Sequence, residues 1–343
     1  MQSDIQRTIQ QAMRKAFPTF EDRVSRFYAM QEYHLGWRNR ELGPDDFDPG
    51  KLLRPQLVLL TCQAVGGDPQ QALPLAAGIQ LIHDFTLIHD DIEDNSDTRR
   101  GRITVWKEWG LAQGINTGDG MFVIAHLALH QMAEAGVPAA LALAVLQRFD
   151  ETILRVCEGQ FLDLSYEGNL AISVDDYLAM IGRKTAALID GAATMGALVG
   201  GADQATAATL GDFGRSLGLA FQIQDDLLGI WGDPELTGKP RAADLYRRKV
   251  SLPVVHALAH AAARDALAAL YGGEGELGNA DVTLALSILN SSGAQAATEA
   301  LGAEHHTAAL AALTALPPTD SPIATAARAR LHALAVGLLG RKS

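Results

Sequence analysis

Ile79–Gly101 reads IQLIHDFTLIHDDIEDNSDTRRG, and the reading of the whole chain turns on it. It opens as an apolar helical pattern, gathers Asp90, Asp91, Glu93, Asp94 and Asp97, and ends in Arg99-Arg100-Gly101. At 3.6 residues per turn, Asp90 and Asp94 stack on one face with Cβ atoms roughly 6 Å apart. Asp97 extends that face if the helix lasts so far. Like charges at this spacing weaken a helix, and a bound divalent cation reverses the sign of that effect. Paired hard oxygen ligands suit Mg²⁺, which keeps several waters and takes its other ligands from substrate phosphates. The alternative for a lone DDxxD is a solvated acidic helix end.

The 343 residues are 48% hydrophobic, 20% charged and only 6% aromatic, with Ala and Leu dominant. This is ample for a large core and favours helices. A formal net charge of -12 and a pI of about 5.2 do not draw the chain to nucleic acid or an anionic membrane. An anionic substrate therefore needs local cations. Cys62 and Cys157, the two cysteines, sit in apolar helical patterns and read as buried thiols, which fits a reducing compartment. The N-terminus has no apolar signal core, and no apolar run reaches bilayer length. A soluble, cytoplasmic protein is expected.

Helices are expected over 3–16 and 19–34 around Pro18, from Lys51-Leu52-Leu53-Arg54-Pro55 to about Val65, and from about Gln71 through the opening stretch. Residues 95–104 read as a donor-rich loop. Asn116 or Thr117 is a candidate N-cap for a helix to about Glu134, with Phe122, Ile124 and Leu127 facing the core. His126 and His130 have metal-ligand spacing but no neighbouring carboxylate partner, which favours packing or surface roles. Further helices are expected over 137–166, 174–199 and 205–231. A polar loop over 233–249 and Ala-rich helices over 252–341 follow. No βαβ unit, nucleotide fingerprint or fixed-period repeat is visible. The expected architecture is a single all-α domain over 1–343. It forms one large bundle of more than ten helices with a central cavity, where bundle ligand sites form.

Asp225-Asp226 lies late in a second apolar helix, with Gln222 on the same face. Two such carboxylate pairs are harder to explain as solvated surface than one. If the two helices face each other, they can hold several Mg²⁺ ions; without metal they would bury unpaired charge at several kcal/mol per ion. Lys51, Arg54, Arg99, Arg100, Lys184, Lys239 and Lys249 lie in loops or at helix ends beside Gly or Pro. Arg forks and Lys point charges suit phosphate oxygens. Acidic pairs ringed by such cations read as one diphosphate site, or two.

Together these residues resemble the trans-isoprenyl diphosphate synthases, the polyprenyl synthetase family. The resemblance rests on Gly50-Lys51-x-x-Arg54-Pro55, Asp90-Asp91-x-x-Asp94 with Arg99-Arg100-Gly101, Lys184-Thr185, Phe221-Gln222-x-x-Asp225-Asp226, Gly238-Lys239-Pro240 and Lys249-x-x-Leu252-Pro253, in that order over roughly residues 15–260. It implies an all-α barrel-like bundle, usually a homodimer, that joins isopentenyl diphosphate head to tail to an allylic diphosphate. By resemblance, Asp90, Asp94 and Asp225 hold Mg²⁺ (three ions with diphosphate bound), with Asp91 and Asp226 in support. Arg99, Lys184, Thr185, Gln222, Lys239 and Lys249 contact the allylic diphosphate. Lys51, Arg54, His83 and Arg100 hold isopentenyl diphosphate. His83 shares the face of Asp90 and Asp94 about 10 Å along an ideal helix, an offset suited to two substrates side by side. Metal ions and cations stabilise the leaving diphosphate, the double bond of isopentenyl diphosphate attacks the allylic carbocation, and a proton is lost. In the family the released diphosphate is thought to take that proton. One departure stands out: the third position of the second acidic motif is Gly229, with Asp233 four residues later.

Product length is expected to be set along the helix before Asp90. Thr86 and Ile82 share the carboxylate face, whereas Phe85 lies about 140° away. By resemblance, a single aromatic five residues before the first Asp, with no insertion inside the motif, matches archaeal-type geranylgeranyl diphosphate synthases and a twenty-carbon product. Alternatives are a farnesyl or longer-chain polyprenyl diphosphate synthase. Further rivals are a class I terpene cyclase, which would carry an Asn-Ser/Thr-Glu second motif, a non-catalytic subunit of a heterodimeric synthase, and an unrelated Mg²⁺-dependent phosphohydrolase.

Overall fold

Helices carry nearly all the regular structure in the computed structural model, which describes residues 4–47, 50–234, 241–273 and 275–339. In chain order they are α1 (Asp4–Ala16), α2 (Ser25–His34), α3 (Leu53–Ala64), α4 (Pro69–Glu93), α5 (Val105–Trp109), α6 (Leu111–His130), α7 (Ala139–Tyr166) and α8 (Val174–Ile181). A π-helical turn, Gly182–Ala186, runs from α8 into α9 (Ala187–Val199). Then come α10 (Gln204–Trp231), α11 (Ala243–Tyr246), α12 (Leu252–Leu258), α13 (Ala261–Tyr271), α14 (Asn279–Ser291), α15 (Ala294–Thr314) and α16 (Pro322–Leu339). The fold is all-α, as the composition and periodicity predict. Among the described residues no helix is long and apolar enough to cross a membrane.

The chain falls into two compact units, one of Met1–Gln147 with Met195–Asp203, the other of Arg148–Thr194 with Gln204–Ser343. In the first, α4 packs against α1, α3 and α6. Its start is set by Asp68, whose carboxylate accepts from the Gln70 N–H at 2.9 Å, and by Pro69 in the first turn. Leu75, Ile79, Ile82 and Ile88 are buried along it. In the second unit α10 packs against α15. One core there joins Ile230, Leu245, Leu258, Leu267 and Leu289. Another gathers Tyr177, Ile181, Ile223 and Leu252 around the second acidic pair.

Four local expectations change. The helix expected to start at Asn116 or Thr117 starts at Leu111, after Gly110 at φ 90°. The glycines of 114–120 are packing positions inside α6: a Cβ on Gly118 would lie 2.2 Å from His89 Nε2 on α4. Leu127 is 38% exposed, in a stripe with Leu111, Ile115 and Val123. Apolar residues surround α6, so periodicity alone cannot separate its two faces. Cys157 is exposed on α7, whereas Cys62 is buried and its thiol is pushed up to about 12 by burial, with Asp68 adding to it. Finally, α4 ends at Glu93 with Asp94 as C-cap, so Asp97 leaves the carboxylate face and pairs with Lys107 at 3.1 Å.

Candidate active site

The acidic end of α4 is tied down by a hairpin. Thr98–Arg99 pairs antiparallel with Arg102–Ile103. Its two-residue turn, Arg100-Gly101, has positive φ at both positions (51° and 77°). Such turns need left-handed residues, which is why Gly stands second. The hairpin aims Arg99 back at α4, where Nε donates to Asp91 at 2.7 Å and NH2 to Asp90 at 3.1 Å. Asp91 is buried, and burial raises its pKa against the pull of Arg99. Asp90 is half-buried, and Asp94 is exposed at the helix end. Arg99 thus bridges both carboxylates of the first acidic pair and offsets one of their two charges, while Arg100 sits exposed at the hairpin tip.

One face of α4 further back carries His83. The Arg54 guanidinium, from the first turn of α3, donates to His83 Nε2 at 3.3 Å. Burial pushes the His83 pKa well below its ordinary value and Arg54 pushes the same way, so the imidazole is neutral. Beside it Asp84 is buried, accepting from Gln80 at 2.8 Å and 3.5 Å from His34. Lys51 is exposed and its carbonyl accepts from Gln56 at 2.6 Å. A histidine protonates near 6.5 in an unfolded chain. Below that pH the unfolded state binds a proton that folded His83 refuses. Stability present above about 6.5 is therefore lost as the pH falls through that window. The melting temperature is expected to fall between about pH 7.5 and about pH 5.5, with His83→Gln flattening part of the fall. The flattening is only partial, because burial also lowers His256, His305 and His306. An unchanged slope in His83→Gln would remove His83 from this account.

The second unit builds an acidic cluster of its own around Asp226, which is fully buried on α10. The Tyr177 hydroxyl donates to Oδ2 at 2.5 Å, the Leu252 N–H donates to Oδ2 at 3.4 Å, and the Gln222 amide donates to Oδ1 at 3.2 Å. Lys249 Nζ lies 3.6 Å from Oδ1. Burial raises the Asp226 pKa, opposed by Lys249 and Tyr177; burial and then Asp226 hold Tyr177 far above the usual phenol range. Thr185 donates to the Gln222 carbonyl at 2.9 Å, so Thr185, Gln222 and Asp226 form one chain of hydrogen bonds. Lys184, in the π-turn, pairs with Asp163 of α7. Gly159 of α7 permits this approach, since a Cβ there would lie 2.1 Å from the Lys184 backbone nitrogen. For Lys249, burial works to lower the pKa, and Asp226, Asp244, Asp163 and Asp225 outweigh it, leaving the ammonium firmly charged.

Residues 46–289 match the polyprenyl synthetase family. The chain belongs to that family. This polyprenyl synthetase is 43% identical over 285 residues to a geranylgeranyl diphosphate synthase of Mycobacterium tuberculosis, covering 83% of this chain and 80% of the relative. It is 42% identical over 228 residues to a (2E,6E)-farnesyl diphosphate synthase of Mycobacterium bovis, covering 66% and 62%. A polyprenyl synthetase structure from Streptomyces coelicolor superposes with a TM-score of 0.86 at 35% identity, over 97% of each chain.

Within this polyprenyl synthetase the first unit brings together Asp90, Asp91 and Arg99, and Arg54 with His83. The second brings together Lys184, Thr185, Gln222, Asp226 and Lys249. Lys239 lies outside the described residues. Among the described residues no three His, Cys, Asp or Glu side chains converge into a ready-made metal site. Three residues received no role from the sequence: Asp163, Tyr177 and Asp244. For Asp163 the signal was an acid close to a helix end with no motif of its own. For Tyr177 and Asp244 there was none short of the fold.

Proposed function

We propose that this prenyltransferase condenses isopentenyl diphosphate head to tail with an allylic diphosphate, that the reaction depends on Mg²⁺, and that the product has twenty carbons. The observation that carries the reading is that each acidic helix end is backed by its own cation, Arg99 on Asp90 and Asp91, and Lys249 on Asp226. Each cation offsets the buried member of its pair, Asp91 or Asp226, which leaves Asp90, Asp94 and Asp225 to serve metal. Their donors are all carboxylate oxygens, which suits Mg²⁺; that ion takes one or two carboxylates and fills its shell with water and phosphate oxygens. When bound, Mg²⁺ supplies positive charge to the leaving diphosphate.

The side chains do the rest. Arg99, Lys184, Lys239 and Lys249 hold the allylic diphosphate, with Thr185 and Gln222 donating to it. Lys51, Arg54 and Arg100 hold isopentenyl diphosphate. Neutral His83 accepts from Arg54 and so keeps that guanidinium aimed. Phe85 sets chain length with Thr86 and Ile82. Its ring packs edge-on against Phe122 and His89, with centroids 5.3 and 4.8 Å away, which makes it a fixed stop. Phe85→Ala is expected to move the main product beyond twenty carbons by at least one five-carbon unit. An unchanged profile would drop Phe85 as the stop. The exposed stripe of Leu111, Ile115, Val123 and Leu127 on α6 supports a homodimer, which sedimentation reads directly.

Incubating the protein with radiolabelled isopentenyl diphosphate and each allylic diphosphate, with Mg²⁺ or with chelator, tests the whole reading. Sized products show the chain length. Failure to extend any of the allylic primers would sink the proposed reaction, and full extension under chelator would sink the metal dependence.

A further inference from the structure

The hairpin that presents Arg99 and Arg100 is too short to hold its own shape. Each strand has two residues, and an isolated two-stranded hairpin is marginal in water. Its register also sets Arg99 directly opposite Arg102. Residues so paired share a face, and like charges directly opposite each other repel. Arg99 turns its charge towards Asp90 and Asp91 on α4. Arg102 is drawn the other way, onto the end of α2.

The Arg102 guanidinium lies over the Tyr33 ring, 4.1 Å from its centroid, and 5.0 Å from that of Phe47. One guanidinium NH2 group donates to the Tyr33 carbonyl at 3.1 Å and the other to the Arg38 carbonyl. Tyr33 stands in the last turn of α2, where carbonyls lack intrahelical partners and a cation is favoured. The contact is reciprocal: the Tyr33 hydroxyl donates to the Ile103 carbonyl at 2.7 Å, one residue past Arg102. Tyr33 is buried, and its ring meets Trp109 edge-on at 4.9 Å. Phe47 is seated by its own N–H, which donates to the Gly36 carbonyl at 2.9 Å. The second strand is thus clasped by two rings, two carbonyls and a hydroxyl, none of which belongs to the acidic motif.

We infer that Arg102 is a positioning residue: with Tyr33 it anchors the hairpin to α2, so that Arg99 and Arg100 stay aimed as a pair. The inference rests on the diphosphate chemistry proposed above, in which Arg99 turns from its carboxylates to a diphosphate. Once Arg99 has turned, α4 no longer grips the hairpin through it, and the clasp on α2 still does. Lysine cannot take the place of Arg102, because a single ammonium does not reach two carbonyls in a planar fork while stacking on a ring.

Trypsin cleavage at the exposed tip, after Arg100, reads the clasp without turnover. Mass spectrometry identifies that cut by a new N-terminus at Gly101. Arg102→Met keeps an apolar stem and removes the fork. It is expected to be cut there at least roughly tenfold faster than the parent, as the loss of a charge-assisted hydrogen bond implies when cleavage follows local opening. Its KM is expected to rise roughly tenfold for both diphosphates, because both arginines ride on the hairpin. Its kcat is expected to fall by less, since bound diphosphates draw the hairpin back into place. Tyr33→Phe, which removes only the hydroxyl, is expected to move cleavage and KM the same way by a smaller amount. Arg102→Lys is expected to lie close to Arg102→Met. Parent-like cleavage in Arg102→Met would overturn the inference, and so would faster cleavage with both KM values unchanged. Parent-like values in Arg102→Lys would overturn it too, and they do so even if Arg102→Met fails to fold. A parent protein that extends no primer tells against the proposed reaction, while the cleavage still reads the clasp.

Discussion

Asp90→Ala is expected to stop chain extension while the protein stays folded. The two halves of that expectation have separate causes. Asp90 sits at the last turn of α4 with its side chain 21% exposed, and its Oδ2 accepts from Arg99 at 3.1 Å. A half-exposed pair of this kind contributes about 0–1 kcal/mol. Arg99 also keeps its shorter contact, Nε to Asp91 at 2.7 Å, so the hairpin stays docked when Asp90 is lost. Catalysis has no such reserve. A carboxylate that holds charge at the leaving group acts where charge develops, and removing one such element lowers turnover by roughly 10³-fold. Melting temperature and product formation are to be measured on the same preparation. Turnover within tenfold of the parent would take Asp90 out of the metal set.

Asp226→Ala is expected to do the reverse, damaging the fold first. Asp226 is fully buried and receives Tyr177, Gln222 and the Leu252 N–H, with Lys249 alongside. Removing the carboxylate orphans the buried Tyr177 hydroxyl and Leu252 N–H, at about 1–3 kcal/mol for each buried polar group left unsatisfied. Calorimetry is expected to show a clear drop in melting temperature. Tyr177→Phe, which removes only one donor, is expected to show a smaller one, in line with about 1–3 kcal/mol for an orphaned buried acceptor. Asp225→Ala, one residue away, is expected to melt close to the parent and to lose activity. If Asp226→Ala melts like the parent, the hydrogen-bond hub described here does not stabilise the second unit.

The helices were legible because their signals are local. Asp68 and Pro69 announce the start of α4, and the apolar period of 3.6 carries it to the acidic end. Both acidic pairs and their cations were legible because each is a short motif. What escaped reading depended on packing. The glycines after Gly110 look like a turn in sequence, yet they let α6 approach α4 closely. The Arg99–Ile103 region reads as a loop because two-residue strands are too short to show alternation. Asp226 and Asp225 are indistinguishable as neighbours in a motif; the burial of Asp226 and its bonds from Tyr177 of α8 and the Leu252 N–H mark it as the structural anchor. Cys157 and Leu127 look like core residues because their helices are apolar on more than one side.

The π-helical turn at Gly182–Ala186 has a bearing on how such chains vary. Ahead of it, Tyr177 must meet Asp226; within it, Lys184 must meet Asp163 and Thr185 must meet Gln222. Each residue of a helix is about 100° of rotation, and a π-turn amounts to one residue more than an α-turn holds. A chain one residue shorter there could satisfy Tyr177 or Lys184, but not both. The length of that turn is therefore under tighter geometric control than the identity of Arg183, whose guanidinium lies 46% exposed. In this stretch a single-residue gap is a graver change than a substitution.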